Sequence, residues 1–484
     1  MMRTISDIFD KKAFFKGLTW FVAAYALMFV SKGMFAAVFP LIAMAALAQK
    51  RHDFLVLFTF VMTVVFNGNS TIVMISTVSG LAIRLAFFLM MFVMIGRMAA
   101  GMSNRYVSPL LGILPYITWE TFVSAFGWCP IVSYLKLFLF FCIFIALYGV
   151  SCSAASSSVI SGGRQRAFIL SGVMFVIVGS VLVIPIPAIG MMRPDELIDA
   201  AAYGRDVLAF FKGILNHSQA LGPVVSVLVV LAFCDMLFTV DRWSFPHLLI
   251  VFLGFVLIFK TSSRTALGTL LAGMGMAAWL LMRSRGVGQH WKGKVVSVMS
   301  MAMILFVCVV FCMPSIQRKA ASFLLKFNEA ENFSELTMEE ITSTRQGAVD
   351  LAMYNFRKKP FTGNGFQVDE EMSYVARRSF KEYLSAPVEK GVWISAVLEE
   401  GGVVGFILFT GFLLVAFFTF VSRRAYVAAS ILFTMAVVNL GEFTMFSMTS
   451  TGGVVWTAMF LATVMDAHRN NAMAWRRPVW RAGL

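Results

Sequence analysis

The chain is 484 residues long, 59% hydrophobic and 13% charged, with a formal net charge of +15. Soluble domains are about half apolar and a quarter charged, so this composition excludes an ordinary soluble enzyme. The basic residues sit in short segments between apolar blocks and do not gather on one solvated face, which argues against a nucleic-acid partner.

Residues 1–16 are polar and are followed by no small-residue cleavage site, so no cleaved signal peptide is expected. Apolar blocks then recur near 18–30, 34–48, 54–66, 71–96, 107–126, 131–150, 168–189, 223–240, 247–260, 266–282, 295–313, 403–421, 425–440 and 452–465. A bilayer-crossing helix needs about 20 predominantly apolar residues, and the blocks therefore predict an all-α polytopic membrane protein with about 12–14 transmembrane helices. Three parts follow: a transmembrane bundle over 1–313, a loop domain over 314–402, and C-terminal transmembrane helices with a basic tail over 403–484.

The charges orient this arrangement. With the N-terminus in the cytoplasm, the segments that fall inside are 3–16, 50–51, 97–105, 164–166, 283–294, 423–424 and 469–481, and all are basic. The loop 314–402 falls outside and is near neutral, with eleven Lys/Arg against thirteen Asp/Glu. A second outer loop, 190–222, is also near balance. The positive-inside rule then puts both termini in the cytoplasm. Within the long loop, 328–353 reads as a helix, Lys359-Pro360-Phe361-Thr362-Gly363-Asn364-Gly365 as a turn, and 370–384 as a further helix.

The residues able to carry chemistry lie on the outer side. Arg264, in Lys260-Thr261-Ser262-Ser263-Arg264-Thr265, opens an apolar block. A snorkelling arginine is the plain reading. A cation on the outer face runs against the positive-inside trend, however, and a guanidinium fork suits bidentate phosphate binding. Arg345 begins a helical stretch, where a helix start already favours anions. His217 lies in a polar turn, Phe211 to Pro223, just before an apolar block; a lone histidine there is ordinarily structural. Glu389, Glu399, Glu400, Glu442 and Glu120 are the carboxylates available as a general base. Arg84 is the chief charge inside an apolar block and reads as a boundary or lipid-pairing residue. The cysteines Cys129, Cys142, Cys152, Cys234, Cys308 and Cys312 form no CxxC pair and have no nearby histidine set, so no metal site and no cofactor are expected.

Four motifs in order resemble the bacterial O-antigen ligase and O-antigen polymerase family. Gly213-Ile214-Leu215-Asn216-His217-Ser218-Gln219-Ala220-Leu221-Gly222 is similar to that family's turn before a span, with Gln219 where asparagine is usual. Ser263-Arg264 matches its Ser-Arg pair opening a span. Arg345, followed by Pro360-Phe361-Thr362-Gly363-Asn364-Gly365, matches its outer loop, and Glu400-Gly401-Gly402-Val403-Val404-Gly405 the loop's end. The ligase branch carries a His-Asn pair shortly before that glutamate. Here the region reads Glu389-Lys390-Gly391-Val392-Trp393, and the loop has no histidine.

The resemblance implies a glycosyltransferase C-like fold with a periplasmic loop, in the bacterial inner membrane. It implies an inner-membrane glycosyltransferase that polymerises undecaprenyl-diphosphate-linked repeats, or a ligase that transfers the glycan to lipid A core. Arg264, Arg345 and Glu400 would be its catalytic residues, and Ser263, His217, Gln219, Lys390 and Glu389 would bind substrate. No Asp-x-Asp occurs in the chain, as suits a metal-independent transfer. The partners implied are a lipid-linked donor, a glycan acceptor and membrane lipids, with a chain-length regulator left open. A transporter of the lipid-linked glycan is the reading from another class, but related halves and midplane charges are not evident.

Overall fold

The structure of the protein is a computed structural model that describes residues 10–31, 34, 38, 41–42, 45, 52–66, 68, 103–191, 211–215, 218–238, 245–261, 263–283, 338–368, 370, 392–447 and 451–475. Helix α1 (Lys11–Val30) begins at Asp10, whose carboxylate accepts the Ala13 amide at 3.0 Å and satisfies one N–H that a helix start leaves unbonded. Helix α2 spans His52–Phe66. The block expected to cross as one helix over 107–126 instead divides into a 3-10 turn, Ser108–Ile113, and α3 (Leu114–Ser124). Pro109 and Pro115 account for the division. Each lacks an N–H and so sits in the first turn of its own element.

Helix α4 (Pro130–Ala155) starts on a proline, and α5 (Val159–Leu182) is capped by Ser158. The chain continues through α6 (Ser218–Phe238), α7 (Phe245–Lys260), α8 (Arg264–Arg283) and α9 (Met338–Lys358). It then forms α10 (Trp393–Ser422), α11 (Tyr426–Val438) and α12 (Thr451–Trp475). Helix α9 runs past the expected end at Met353 and stops just before Pro360, which bars the preceding residue from helical geometry. Among the described residues no strand forms, only the isolated bridges Gly68–Leu215 and Met191–Phe211.

Among the described residues, six helices are long and apolar enough to cross a membrane: Lys11–Val30, Pro130–Ala155, Ser161–Leu182, Ala220–Phe238, Arg264–Arg283 and Trp393–Ser422. Leu55–Val65, Phe245–Lys260 and Tyr426–Val438 are shorter apolar helices besides these. The expected blocks 71–96 (with Arg84) and 295–313, most of 34–48, and the helix expected over 370–384 beyond residue 370 lie outside the described residues.

Helix α6 is the axis of the bundle. It is apolar around its circumference and buried from Ala220 to Phe238, packed against α5, α7, α8, α11 and α12. On the outside, Ile131, Phe138 and Phe141 of α4, Phe252 of α7, and Ile407, Leu414 and Phe418 of α10 point away from the protein. Long apolar helices with apolar outer faces describe a multi-pass membrane protein, because a bilayer solvates those faces and water does not.

One end of the bundle is basic. Arg164 pairs with Asp10 at 3.5 Å, Arg423 donates to the Arg105 carbonyl, and Arg469 donates to the Arg424 carbonyl at 3.0 Å. At the same end Arg166 Nε donates to Oδ2 of buried Asp235 at 2.9 Å and lies 2.7 Å from its Oδ1, and His247 Nε2 lies 2.8 Å from the same carboxylate. This ties α5, α6 and α7 together through a charge that would be costly to bury alone. Asp466 accepts the Ala428 amide at 2.8 Å and so caps α11 from α12. The opposite end carries the candidate site.

Candidate functional site

Helix α10 is broken near its start. Gly402 has φ 65° and ψ −166°, so residues before and after it are separate helices meeting at a kink. The turn 360–365 lies against that kink. Asn364 N donates to the Glu399 carbonyl at 2.9 Å, Gly365 N to the Glu400 carbonyl at 3.0 Å, and Val403 N to the Pro360 carbonyl at 2.8 Å. These are the backbone groups that a kink exposes, and the turn satisfies them. The close approach demands glycine on both sides. A Cβ on Gly363 (φ +75°) would collide with the Glu400 carbonyl, and one on Gly402 with the Phe361 carbonyl.

Side chains lock this seam. Asn364 Nδ2 donates to the Asn355 carbonyl at 3.1 Å and to the Glu399 carbonyl at 3.3 Å. Asn355 Nδ2 donates to the Glu399 carboxylate at 2.8 Å, which brings α9 into the joint. From the neighbouring elements, Trp128 N donates to the Asn364 carbonyl at 3.0 Å, Lys136 Nζ to the Gln367 carbonyl at 2.8 Å, and Trp119 Nε1 to the Gly401 carbonyl at 2.7 Å.

Two carboxylates are enclosed here. Glu120 and Glu400 are both fully buried, and both act electrostatically on the buried phenol of Tyr116. A Cβ at Gly401 would overlap Glu120 Oε1, so the α3 carboxylate lies directly on the kinked backbone beside Glu400. Burial of such groups has an electrostatic cost that only nearby polar partners offset.

The arginine motif stands on the other side of this end. Ser263 and Arg264 open α8, both half-buried, and Ser263 Oγ accepts the Ala266 amide at 3.3 Å. A Cβ on Gly222 would stand 2.7 Å from Ser263 Cβ and 3.1 Å from Ala266 Cβ, so the end of the 213–222 motif packs directly on Ser263 and the first turn of α8. At the start of that motif, Lys212 is fully buried and its amide donates to the Gly190 carbonyl at 2.8 Å.

Between the two halves runs the turn 439–447. Thr265 fills the space over Gly441, and half-buried Glu442 follows it. Trp393 N, at the start of α10, donates to the Asn439 carbonyl at 2.9 Å.

Of the residues singled out in the sequence, Arg264, Ser263 and Glu400 are placed at this end, and Glu400 is enclosed. The backbones of Gln219 and Arg345 lie in α6 and α9, while their side chains are outside the described residues, as are His217, Glu389 and Lys390 altogether. Asn355, Asn364 and the contact of Glu120 with the kink escaped sequence reasoning. Asn364 lies inside a quoted motif, but nothing in the spacing tied it to Glu399 or tied α3 to Gly401. Among the described residues no group of three or more His, Cys, Asp or Glu is placed to hold a metal ion. No protein-family model matches the chain, and no curated protein matches it.

Proposed function

We propose that this protein is a metal-independent glycosyltransferase of the bacterial inner membrane that polymerises undecaprenyl-diphosphate-linked oligosaccharide repeats into surface polysaccharide. One observation supports this reading best. Segments far apart in the chain pair at one end of the bundle, 213–222 with 263–264 and 360–365 with 400–405, and these carry the motifs that resemble O-antigen ligases and polymerases. About 12–14 helices in a glycosyltransferase C-like arrangement, a periplasmic loop and cytoplasmic termini belong to the same proposal. The arginines gathered at the opposite end agree with that orientation.

In the reaction, an acceptor hydroxyl attacks the anomeric carbon of the donor. The new glycosidic C–O bond forms as the bond to the diphosphate oxygen breaks, and undecaprenyl diphosphate leaves with the electron pair. Arg264 and Arg345 place positive charge where that negative charge develops, and each guanidinium can grip two phosphate oxygens. Ser263, which precedes Arg264, and His217, Gln219, Glu389 and Lys390 are assigned to substrate binding on the strength of the motif resemblance. Glu400 is enclosed with Glu120 and Tyr116, so its assigned role is to hold the seam. The hydroxyl proton is assigned to Glu442, a half-buried carboxylate beside the start of α8.

Cells lacking the protein should accumulate single-repeat lipid-linked glycan and lose long polymer. Arg264→Ala and Arg345→Ala should reproduce that loss while the protein is still inserted and expressed. Normal polymer from either variant would reject its arginine's role. Polymer that forms but is not attached to lipid A core would point to the ligase reading, which the absence of histidine from 314–402 disfavours.

A further inference from the structure

Helix α9 has three faces instead of two. Ala352 and Asn355 are buried toward α10, with Ala348, Val349 and Phe356 half-buried beside them. The remaining surface divides again. Gly347, Leu351, Tyr354 and Lys358 fall at i, i+4, i+7 and i+11 and form one exposed stripe, with Leu351 and Tyr354 each 59% exposed. Gln346, Asp350, Met353 and Arg357 fall in the neighbouring register, where the three polar residues are exposed and Met353 is half-buried at the edge of the packed face. A helix between protein and water needs one apolar face. A second apolar stripe beside a polar one is the pattern of a helix that also meets lipid.

The apolar stripe continues onto the rest of this end. Phe361, in the turn after α9, is 71% exposed. Lys359 Nζ donates to the Phe126 carbonyl at 2.9 Å, which sets the turn beside the α3 end. There Trp119, Phe122 and Phe126 form an aromatic ladder with centroids 5.7 and 5.5 Å apart, and Phe122 and Phe126 are exposed. Trp and Tyr rings collect at the level of lipid headgroups, where an apolar body and a polar edge are both satisfied, as Trp119 and Tyr354 can be here. The exposed phenylalanines beside them have a place in the acyl region below. Lys358, with its ammonium 4.7 Å from the Tyr354 ring centroid and paired to Glu370 at 2.6 Å, follows the same stripe. A lysine there can lay its stem along the apolar surface and keep its charge at the phosphates.

We propose that α9 lies in the plane of the membrane interface, with Leu351, Tyr354 and Phe361 set into the lipid and Gln346, Asp350 and Arg357 turned to water. The occupant of the apolar stripe is the bilayer itself, because the stripe is continuous with the exposed aromatic ladder at the end of α3, beside the outward-facing apolar residues of α4 and α10. The seam between the 360–365 turn and the Gly402 kink is then held at headgroup depth, where the diphosphate of a lipid-linked substrate lies. The proposal needs the membrane reading but not the glycan chemistry, so loss of one leaves the other standing.

Single cysteines at 346, 350, 351, 354, 357 and 361 of a cysteine-free full-length chain, spin-labelled in nanodiscs of phosphatidylethanolamine and phosphatidylglycerol, test it. Power saturation with oxygen, which partitions into lipid, and with a water-soluble nickel chelate should differ between stripes. Labels at 351, 354 and 361 should show an oxygen-to-nickel ratio severalfold above those at 346, 350 and 357. Equal ratios on both stripes would overturn the proposal. Protection of 351 and 354 from both reagents would also overturn it, since a protein partner or a second copy would then cover the stripe.

Discussion

Replacing Gly402 with alanine strikes the joint on which the candidate site is built. Its φ of 65° and ψ of −166° fall in a region that is essentially reserved for glycine. Holding alanine there costs about 1–3 kcal/mol. The added Cβ also collides with the Phe361 carbonyl. The kink or the turn must therefore shift, and one or two of the three bonds Asn364 N to Glu399, Gly365 N to Glu400 and Val403 N to Pro360 are lost or stretched. At about 0.5–1.5 kcal/mol net for each bond, the two effects together reach roughly 1.5–6 kcal/mol. That is a large fraction of the total stability of about 5–15 kcal/mol usual for a folded protein. Thermal unfolding of the purified protein in nanodiscs, followed by tryptophan fluorescence, reads this as a clear fall in melting temperature. Gly411→Ala is the control: it lies on the same helix, a Cβ there meets nothing within 4 Å, and its melting should be unchanged or slightly raised. A Gly402→Ala protein that melts with the parent, or a Gly411→Ala protein that falls equally, would refute the argument that the kink is locked by the turn.

Asn355→Ala should remove the Nδ2 donor that reaches the Glu399 carboxylate at 2.8 Å and destabilise the protein by about 1–3 kcal/mol, read by the same melting assay. Because Asn355 and Gly402 act on one joint, combining the two changes should cost less than the sum of their separate effects. At the basic end, Asp235→Ala strands the Arg166 guanidinium and should cost about 3–5 kcal/mol, with no change in the shape of the candidate site. Adding Arg166→Ala should recover part of the loss, and a fully additive double variant would count against a direct pair.

The helical membrane architecture was legible because it rests on block length and charge placement, which survive without any knowledge of contacts. Proline positions refined it: Pro109 and Pro115 split a block that hydropathy alone joins. Arg264 stood out because a cation is unexpected at that place in the pattern. Asp235 did not stand out. At the end of an apolar block it looks like a boundary residue, and its partners Arg166 and His247 lie on helices 69 positions before it and 12 after it. Glu120 met the same obstacle, since its contact with Gly401 depends on how α3 crosses α10. The motif glycines show the difference well. Their presence in the chain hinted at tight turns, but that Gly363 and Gly402 face each other's backbones is a tertiary fact.

The turn 439–447 links the two separate motif pairs. Asn439 is buried, its Oδ1 accepts the amides of Thr444 and Met445 at 2.8 Å each, and its Nδ2 donates to the Met435 carbonyl at 2.8 Å. The turn is thereby fixed to the end of α11, and Trp456 Nε1 holds it again through the Met445 carbonyl at 2.7 Å. On one side its Asn439 carbonyl takes the first amide of α10, just before the kink. On the other, Gly441 receives Thr265, the residue after Arg264. The start of α8 and the start of α10 are thus both registered against one rigid turn. A charge at the start of α8 has value in catalysis only if its position is set before substrate arrives, because reorganisation during the reaction would use up the stabilisation it provides. Side chains in this turn that never touch substrate therefore support the proposed chemistry by fixing where the start of α8 stands.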